Sequence, residues 1–246
     1  MINPEKSQRR RHSWWVKSSH WLVTFSFVLL AISGIEMIMV HPRFYWGKVG
    51  NNLTPALFEI PLGPNYKHVQ FSEPKPFFNH PGSIVSATRT QDIFNQNGWG
   101  RSLHFLAAWL LIIGGLVYLV LGVTSGHFRR RILPAARQLK PSNLWNDVKA
   151  HVKKYVQAYQ EYGPLQKLAY SVVIFGLLPL AVVTGFTMSP NITSAYPFLL
   201  SIFLGGQSAR TIHLFASLAL EIFLLIHLVM VIRTGFLKQL KGMING

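Results

Sequence analysis

The chain has 246 residues, of which 50% are hydrophobic and only 13% are charged, about half the charged fraction of an average soluble domain. A soluble protein with a charge-rich surface is therefore excluded, and the 17 Phe and 7 Trp exclude a disordered chain. The absence of Cys excludes disulfides, iron–sulfur clusters and covalently attached c-type haem, and the net charge of +16 is typical of basic loops at a membrane face.

Four stretches of the chain are apolar and long enough to cross a bilayer, which takes a helix of roughly 20 residues. They predict an all-α integral membrane protein, a single membrane domain over residues 1–246 folded as a four-helix transmembrane bundle. The predicted spans are residues 21–40, 103–123, 168–188 and 211–232. No small-x-small cleavage pattern follows the first span, so we interpret it as a retained anchor and not as a signal peptide.

The segments between the spans have distinct characters. Residues 41–100 form a predicted outer loop rich in Pro, Asn and Gly, whose aromatic residues favour a docking surface over disorder. Residues 142–160 place apolar side chains on one helical face and Lys elsewhere, which predicts a basic amphipathic helix on the inner membrane surface. A fifth apolar run, residues 196–206, is too short to span and is interpreted as an interfacial or re-entrant piece.

Basic residues are distributed unevenly among the connections. The N-terminal tail, the connection between the second and third spans and the C-terminal tail together hold 17 of the 24 Lys and Arg. By the positive-inside bias, these three segments, and therefore both termini, are predicted to be cytoplasmic. Basic clusters can also indicate nucleic-acid binding, but here they flank the spans, so topology explains them better and no nucleic-acid partner is expected.

Histidine is the residue type that points to a function. The sequence has 10 His, and four lie within or at the rims of the predicted spans, where an ionisable side chain is costly and indicates a functional site. His213 and His227 are 14 residues apart, which places them about 40° apart around a helix and about 21 Å apart along it. With His104 at the outer depth and His20 at the inner depth, the pattern predicts two pairs, His104 with His213 and His20 with His227.

Paired imidazoles in an apolar bundle favour one kind of cofactor. Zinc takes three or four protein ligands and would leave a charged centre in lipid-like surroundings. A haem brings four nitrogens of its own, needs two axial ligands and buries a large apolar ring between helices. The pairs therefore predict two b-type haems with no free iron position for oxygen chemistry, which favours electron transfer between the two membrane faces.

Three of these histidines follow a basic residue by three positions. Lys17 precedes His20, Arg101 precedes His104, and Arg210 precedes His213. Because positions i and i+3 are neighbours on a helix, the three bases are candidate partners of haem propionates, although bases also flank spans simply as topology markers. No group of nucleophile, base and orienting residue is recognisable, so no catalytic residue is predicted, and the chain is interpreted as an electron-transfer subunit of an oxidoreductase complex.

The layout resembles the cytochrome b subunits of respiratory formate dehydrogenase and thiosulfate reductase, and their relatives in the bacterial cytochrome b561 and nickel–iron hydrogenase group. The resemblance covers most of the chain and is carried by Lys17–His20–Trp21, by Arg101–His104 and by the paired His213 and His227. It implies a multi-pass protein of the bacterial inner membrane in which these four His are the axial ligands of two b haems. It also implies that the chain anchors a catalytic subunit and passes electrons between that subunit and the membrane quinone pool.

The resemblance also guides the choice of partner and of quinone site. The unusually long outer loop departs from the family pattern, and the partner we expect is a peripheral, periplasmic oxidoreductase with a molybdenum cofactor (molybdopterin) of the sulfite-oxidase type. In the resembling family the quinone site lies near the inner haem, so residues around His20, His227 and Arg233 are its candidates here. The direction of electron flow stays open.

Alternatives remain at this point for residues and for function. His12 or His127 is an alternative inner ligand, and Glu221 is either a proton relay or a neutral carboxylic acid bonded to a neighbouring helix. The outer-loop histidines are either solvated or a metal site; they are His41, His68 and His80. The alternative function is a small permease or proton-coupled transporter that uses the intramembrane His, and a further one is a structural anchor in which these His only pack.

Overall fold

The computed structural model of the chain describes residues 13–51, 54–62, 97–152 and 163–244. Within these ranges, four helices are long and apolar enough to cross a membrane. They are Trp14–Val40, Gly98–Thr124, Pro164–Thr187 and Gly206–Arg233. The predicted class, a mostly helical membrane protein with four spans, is confirmed.

The elements follow one another along the chain in the following order. Helix α1 (Trp14–Val40) leads to two antiparallel two-residue strands, β1 (Arg43–Phe44) and β2 (Phe58–Glu59). Helix α2 (Asn97–Thr124) is followed by a π-helical turn (Phe128–Ile132), a 3₁₀ turn (Ala136–Leu139) and helix α3 (Pro141–Val152). The third span consists of α4 (Pro164–Val172), a π-helical turn (Val173–Leu177) and α5 (Leu178–Thr187). The short helices α6 (Pro190–Ala195) and α7 (Phe198–Ile202) precede α8 (Gly206–Arg233) and α9 (Phe236–Ile244).

The spanning helices extend beyond the apolar runs that predicted them. Helix α1 begins at Trp14 and not at residue 21, and α8 begins at Gly206 and not at residue 211. Lys and Arg are good helix formers, so the basic residues that end an apolar run do not end the helix. As a result, His20 does not open the first spanning helix but lies about two turns inside it.

The connections that the sequence singled out are described in part. In the outer loop, Arg43 pairs with Glu59 across the two strands, and their side chains form an ion pair at 3.2 Å, while residues 63–96 lie outside the described ranges. The predicted amphipathic helix is helical as far as Val152, and residues 153–160 lie outside those ranges. Docking at the loop and a position of α3 on the membrane surface therefore stay predictions.

Backbone packing divides the chain into two compact units, and each unit contains part of all four spanning helices. The first unit comprises Met1–Leu22, Ile113–Leu178 and Ala219–Gly246, and it contains His20 and His227. The second comprises Val23–Ile112 and Pro179–Leu218, and it contains His104 and His213. Each predicted histidine pair thus lies within a single unit.

Glycines let α1 and α2 approach each other closely in both units. In the first unit, a Cβ built on Gly114 of α2 would lie 2.7 Å from Cδ2 of Leu22 on α1. In the second unit, a Cβ built on Gly100 would lie 2.6 Å from Cγ of Glu36. Small residues at such contacts are typical of helix packing in membranes, where close approach of backbones replaces the hydrophobic driving force.

Candidate functional site

In the second unit, the rings of His104 on α2 and His213 on α8 face each other. Their centroids are 6.2 Å apart and their planes are inclined by 63°. Both histidines are partly buried, and their hydrogen-bond partners Ser33 and Thr184 come from α1 and α5. The structure thus brings together the two residues of the predicted outer pair.

In the first unit, His20 on α1 and His227 on α8 form a similar pair. Their ring centroids are 6.5 Å apart, with an angle of 52° between the planes. His20 also meets Trp21 edge-on, at 5.5 Å, and His227 is stacked on Phe223, with centroids 6.0 Å apart. Aromatic rings therefore flank the inner pair, whereas hydroxyl and carbonyl groups hold the outer pair.

The Nδ1 atom of His104 is held by α1. It lies 2.9 Å from Oγ of Ser33. The Ser33 hydroxyl donates its own proton to the Leu29 carbonyl at 2.7 Å. Because that proton is used within α1, Ser33 Oγ accepts the hydrogen bond from the ring, and the His104 proton resides on Nδ1.

The Nδ1 atom of His213 is held by α5 in the same way. It lies 3.0 Å from Oγ1 of Thr184 and 2.9 Å from the Ala181 carbonyl, while the Thr184 hydroxyl donates to the Leu180 carbonyl at 2.7 Å. A carbonyl oxygen only accepts hydrogen bonds, so Nδ1 of His213 is the donor. Both outer histidines therefore keep the Nε2 lone pair available to bind a metal.

The two pairs fit the axial positions of haem iron. Each metal–nitrogen bond is about 2 Å long and each nitrogen lies about 1 Å from its ring centre, so two imidazoles that bind one metal ion from opposite sides have centroids about 6 Å apart. The observed separations are 6.2 and 6.5 Å. In the described part of the chain, no three His, Asp or Glu side chains converge on a possible metal site. A haem needs only two protein ligands because the porphyrin supplies the other four.

The three predicted propionate partners have the following contacts. Arg210 donates hydrogen bonds to the carbonyls of Arg43, at 3.0 Å, and of His41, and it lies over the Phe44 ring at 4.6 Å. Arg101 is exposed and lies 5.3 Å from the centre of the Phe105 ring. Nζ of Lys17 lies 3.4 Å from the Ile244 carbonyl. Their role toward propionates stays a prediction.

The remaining candidate histidines lie elsewhere. His127 belongs to an aromatic cluster in the first unit, with its ring 5.3 Å from that of Trp15 and 6.1 Å from that of Tyr118. The backbone of His41 receives the hydrogen bond from Arg210. His12, His68 and His80 lie outside the described residues.

Sequence reasoning missed Ser33 and Thr184, the two side chains that hold the outer histidines. Both are 0% exposed, and each is followed by a glycine, in Ser33-Gly34 and Thr184-Gly185. The repeated hydroxyl-glycine pair in two different spans was the available signal, but the partner of each hydroxyl appears only once the helices are placed beside each other.

Comparison with known proteins places the chain in a family. The family described as "Prokaryotic cytochrome b561" matches residues 11–246 of the chain. A protein of Azospira oryzae described as "Putative protein-methionine-sulfoxide reductase subunit YedZ1" is 25% identical over 238 residues, which cover 96% of this chain and 96% of the relative. No solved structure gives a significant match.

Proposed function

The chain belongs to the prokaryotic cytochrome b561 family, a family of membrane haem proteins, and from that premise we propose that it is a di-haem electron-transfer subunit. His104 and His213 are the axial ligands of one b haem, and His20 and His227 are those of the other. The observation that carries the proposal is the presence of two imidazole pairs with centroids 6.2 and 6.5 Å apart, both drawn from spanning helices.

In this proposal the protein binds the haem iron, fixes the tautomer of the outer histidines and limits the access of water. A b haem with two imidazole ligands supplies one-electron chemistry and leaves no iron position open for oxygen. Ser33 and Thr184 keep the proton on Nδ1 of the outer histidines, so that Nε2 is a neutral ligand. Trp21 and Phe223 beside the inner pair and the fully buried Ser33 and Thr184 beside the outer pair limit the access of water, which favours outer-sphere electron transfer over side reactions.

The proposed electron path runs between a redox partner on the outer side and a membrane quinone. The relative from Azospira oryzae is described as a reductase subunit, which supports a catalytic partner for this chain as well. We propose that this partner is a periplasmic oxidoreductase with a molybdenum cofactor, docked at the outer loop of residues 41–100. Its substrate class, by analogy with that relative, includes oxidised methionine in proteins.

The membrane placement belongs to the same proposal. The concentration of Lys and Arg in the two terminal tails and in the connection between the second and third spans supports cytoplasmic termini in the bacterial inner membrane. The quinone site is assigned to the inner rim, around His20, His227 and Arg233. Quinol oxidation there would release protons to the cytoplasmic side and send electrons outward, and quinone reduction would do the reverse.

The test is the absorption spectrum of the detergent-purified protein, oxidised and then reduced, together with acid–acetone extraction of haem. We expect a b-type spectrum and about two extractable haems per chain. His227→Ala and His213→Ala should each remove one haem and spare the other, because each changes one ligand pair only.

His127→Ala is the matched control, since His127 lies in the first unit but packs among Trp15, Tyr118 and Phe128. It should keep both haems. Purified wild-type protein without pigment would contradict the proposal and favour a permease, and loss of a haem in His127→Ala but not in His20→Ala would contradict the inner ligand pair.

A further inference from the structure

Two hydroxyl side chains hold the outer histidines in matched arrangements. Ser33 on α1 contacts His104, and Thr184 on α5 contacts His213, with oxygen to Nδ1 distances of 2.9 and 3.0 Å. Both hydroxyl residues are 0% exposed. Because water cannot compete for these hydrogen bonds, each should persist and orient its ring strongly.

The match extends to the neighbouring positions of both helices. The carbonyl three residues before each hydroxyl residue, Leu30 or Ala181, also lies within hydrogen-bond distance of that hydroxyl, at 3.2 and 3.1 Å. The residue after each is glycine, and a Cβ built on Gly34 or Gly185 would lie 3.9 or 3.6 Å from Cε1 of the facing histidine. Two helices far apart in the chain thus present the same hydroxyl residue and following glycine to the two outer histidines.

Helix stabilisation alone does not explain this arrangement. A buried Ser or Thr in a helix commonly donates to the carbonyl four residues before it, and Thr187 on α5 does so, to Val183 at 2.9 Å. Ser33 and Thr184 make that same bond, both at 2.7 Å, and in addition accept from a ring. The donation uses the hydroxyl proton, which leaves each oxygen as an acceptor for Nδ1–H.

We propose that Ser33 and Thr184 are positioning residues that fix the Nδ1–H tautomer of both outer histidines and lower the reduction potential of the haem at that site. This inference rests on the proposed function, since it requires haem at His104 and His213. An acceptor at Nδ1–H makes the imidazole a stronger donor through Nε2, and a stronger donor stabilises ferric over ferrous iron.

The experiment is a redox titration of the purified, haem-loaded protein, followed by the absorbance of reduced b haem and by electron paramagnetic resonance of the ferric state. Ser33→Ala and Thr184→Val should each move one of the two titrating components to higher potential. Both variants should move the same component, because His104 and His213 bind one iron. The component at His20 and His227 stays in place and is the internal reference.

Two further variants distinguish the effect of losing the hydroxyl from the effects of changed side-chain size and of impaired folding. Thr187→Val removes a buried threonine hydroxyl from the same helix and should move neither component. Thr184→Ser keeps the hydroxyl in a smaller side chain and should keep the wild-type potentials and resonance signals. If Ser33→Ala or Thr184→Val fails to load haem, Ser33→Thr and Thr184→Ser should load it with wild-type potentials.

The proposal is overturned if Ser33→Ala and Thr184→Val bind two haems at wild-type potentials, or if Thr184→Ser shifts a component as far as Thr184→Val does. It is also overturned if the two variants move different components, since they would then act on different haems. A pigment-free wild-type protein, in contrast, would overturn the proposed function itself.

Discussion

At the scale of single residues, the polar groups at the start of α8 hold the segment that follows α1. Arg210 donates to the carbonyls of Arg43 and His41, and Thr211 donates to the Tyr45 carbonyl at 2.7 Å. Ser208 accepts a hydrogen bond from the Gly47 N–H at 2.6 Å. Since most of these partners are backbone groups, the sequence carries no side-chain pattern that would predict them, and Arg210 stood out only as a base near His213.

The Arg210 contacts lead to a first prediction. Arg210→Ala removes two hydrogen bonds and a cation–π contact, and we expect the free energy of unfolding in detergent to fall by about 2–3 kcal/mol. Arg210→Lys should recover little of it, because an ammonium group reproduces neither the planar pair of bonds nor the ring contact. Thermal or denaturant unfolding, followed by haem absorbance, measures the change.

Arg101→Ala is the matched control, since Arg101 also precedes an outer histidine by three positions but is exposed. Its removal should cost less than about 1 kcal/mol. Equal losses for Arg101→Ala and Arg210→Ala, together with full recovery in Arg210→Lys, would show that charge alone matters and would favour the propionate role for both.

The histidine pairs could be predicted from the sequence, whereas their hydroxyl partners could not. His213 and His227 could be paired with other residues because a helix fixes the angle and the distance between positions 14 apart, and ionisable residues stand out in an apolar span. Ser33 and Thr184 could not, because a hydroxyl in an apolar run satisfies its own helix equally well. Only the neighbouring helix decides whether it has a second partner.

At the scale of elements, hydropathy predicts the spans but not where their helices end. A run of about 20 apolar residues is required by the bilayer, so all four spans were visible. The two strands have two residues each and show no alternating pattern. The π-helical turns at Phe128–Ile132 and Val173–Leu177 depend on local packing, which composition does not record.

The connection before α8 gives a second prediction. Gly205 has a φ of +124°, a backbone conformation that residues other than glycine rarely adopt. A Cβ at this position would also collide with the backbone of Gly47. We expect Gly205→Ala to lower the free energy of unfolding by at least about 2 kcal/mol and to reduce the yield of protein with two haems.

Gly206→Ala, one residue later, is the control. A Cβ at Gly206 would lie 3.9 Å from Cδ2 of Leu200, an ordinary contact, so stability should change by less than about 1 kcal/mol. Comparable losses from the two substitutions would mean that neither the backbone conformation nor the close approach to Gly47 matters.

At the scale of the whole molecule, the distribution of charge predicts the orientation in the membrane. The absence of Cys provides a direct test, because any introduced cysteine is the sole target of a thiol reagent. Val49, in the outer connection, is 67% exposed, and Ser142, at the start of α3, is also exposed.

We expect a membrane-impermeant maleimide to label Val49→Cys in spheroplasts and to label Ser142→Cys only after the membrane is permeabilised. Labelled protein is quantified on gels against the unlabelled Cys-free chain. The reverse pattern would show that the termini are periplasmic and would move the proposed partner to the other face.

The hydrogen bonds between residues 41–47 and the start of α8 have a consequence for the binding of a partner protein. This segment is the first part of the outer loop, and it is hydrogen-bonded to Ser208, Arg210 and Thr211. Of these three residues, Thr211 is the nearest in sequence to His213, two positions before it. A protein that bound this loop would therefore exert force on the helical turn that carries His213, the proposed axial ligand. Assembly with a redox partner should then perturb the colour of one haem, which would let a simple titration in a cuvette report docking without any attached label.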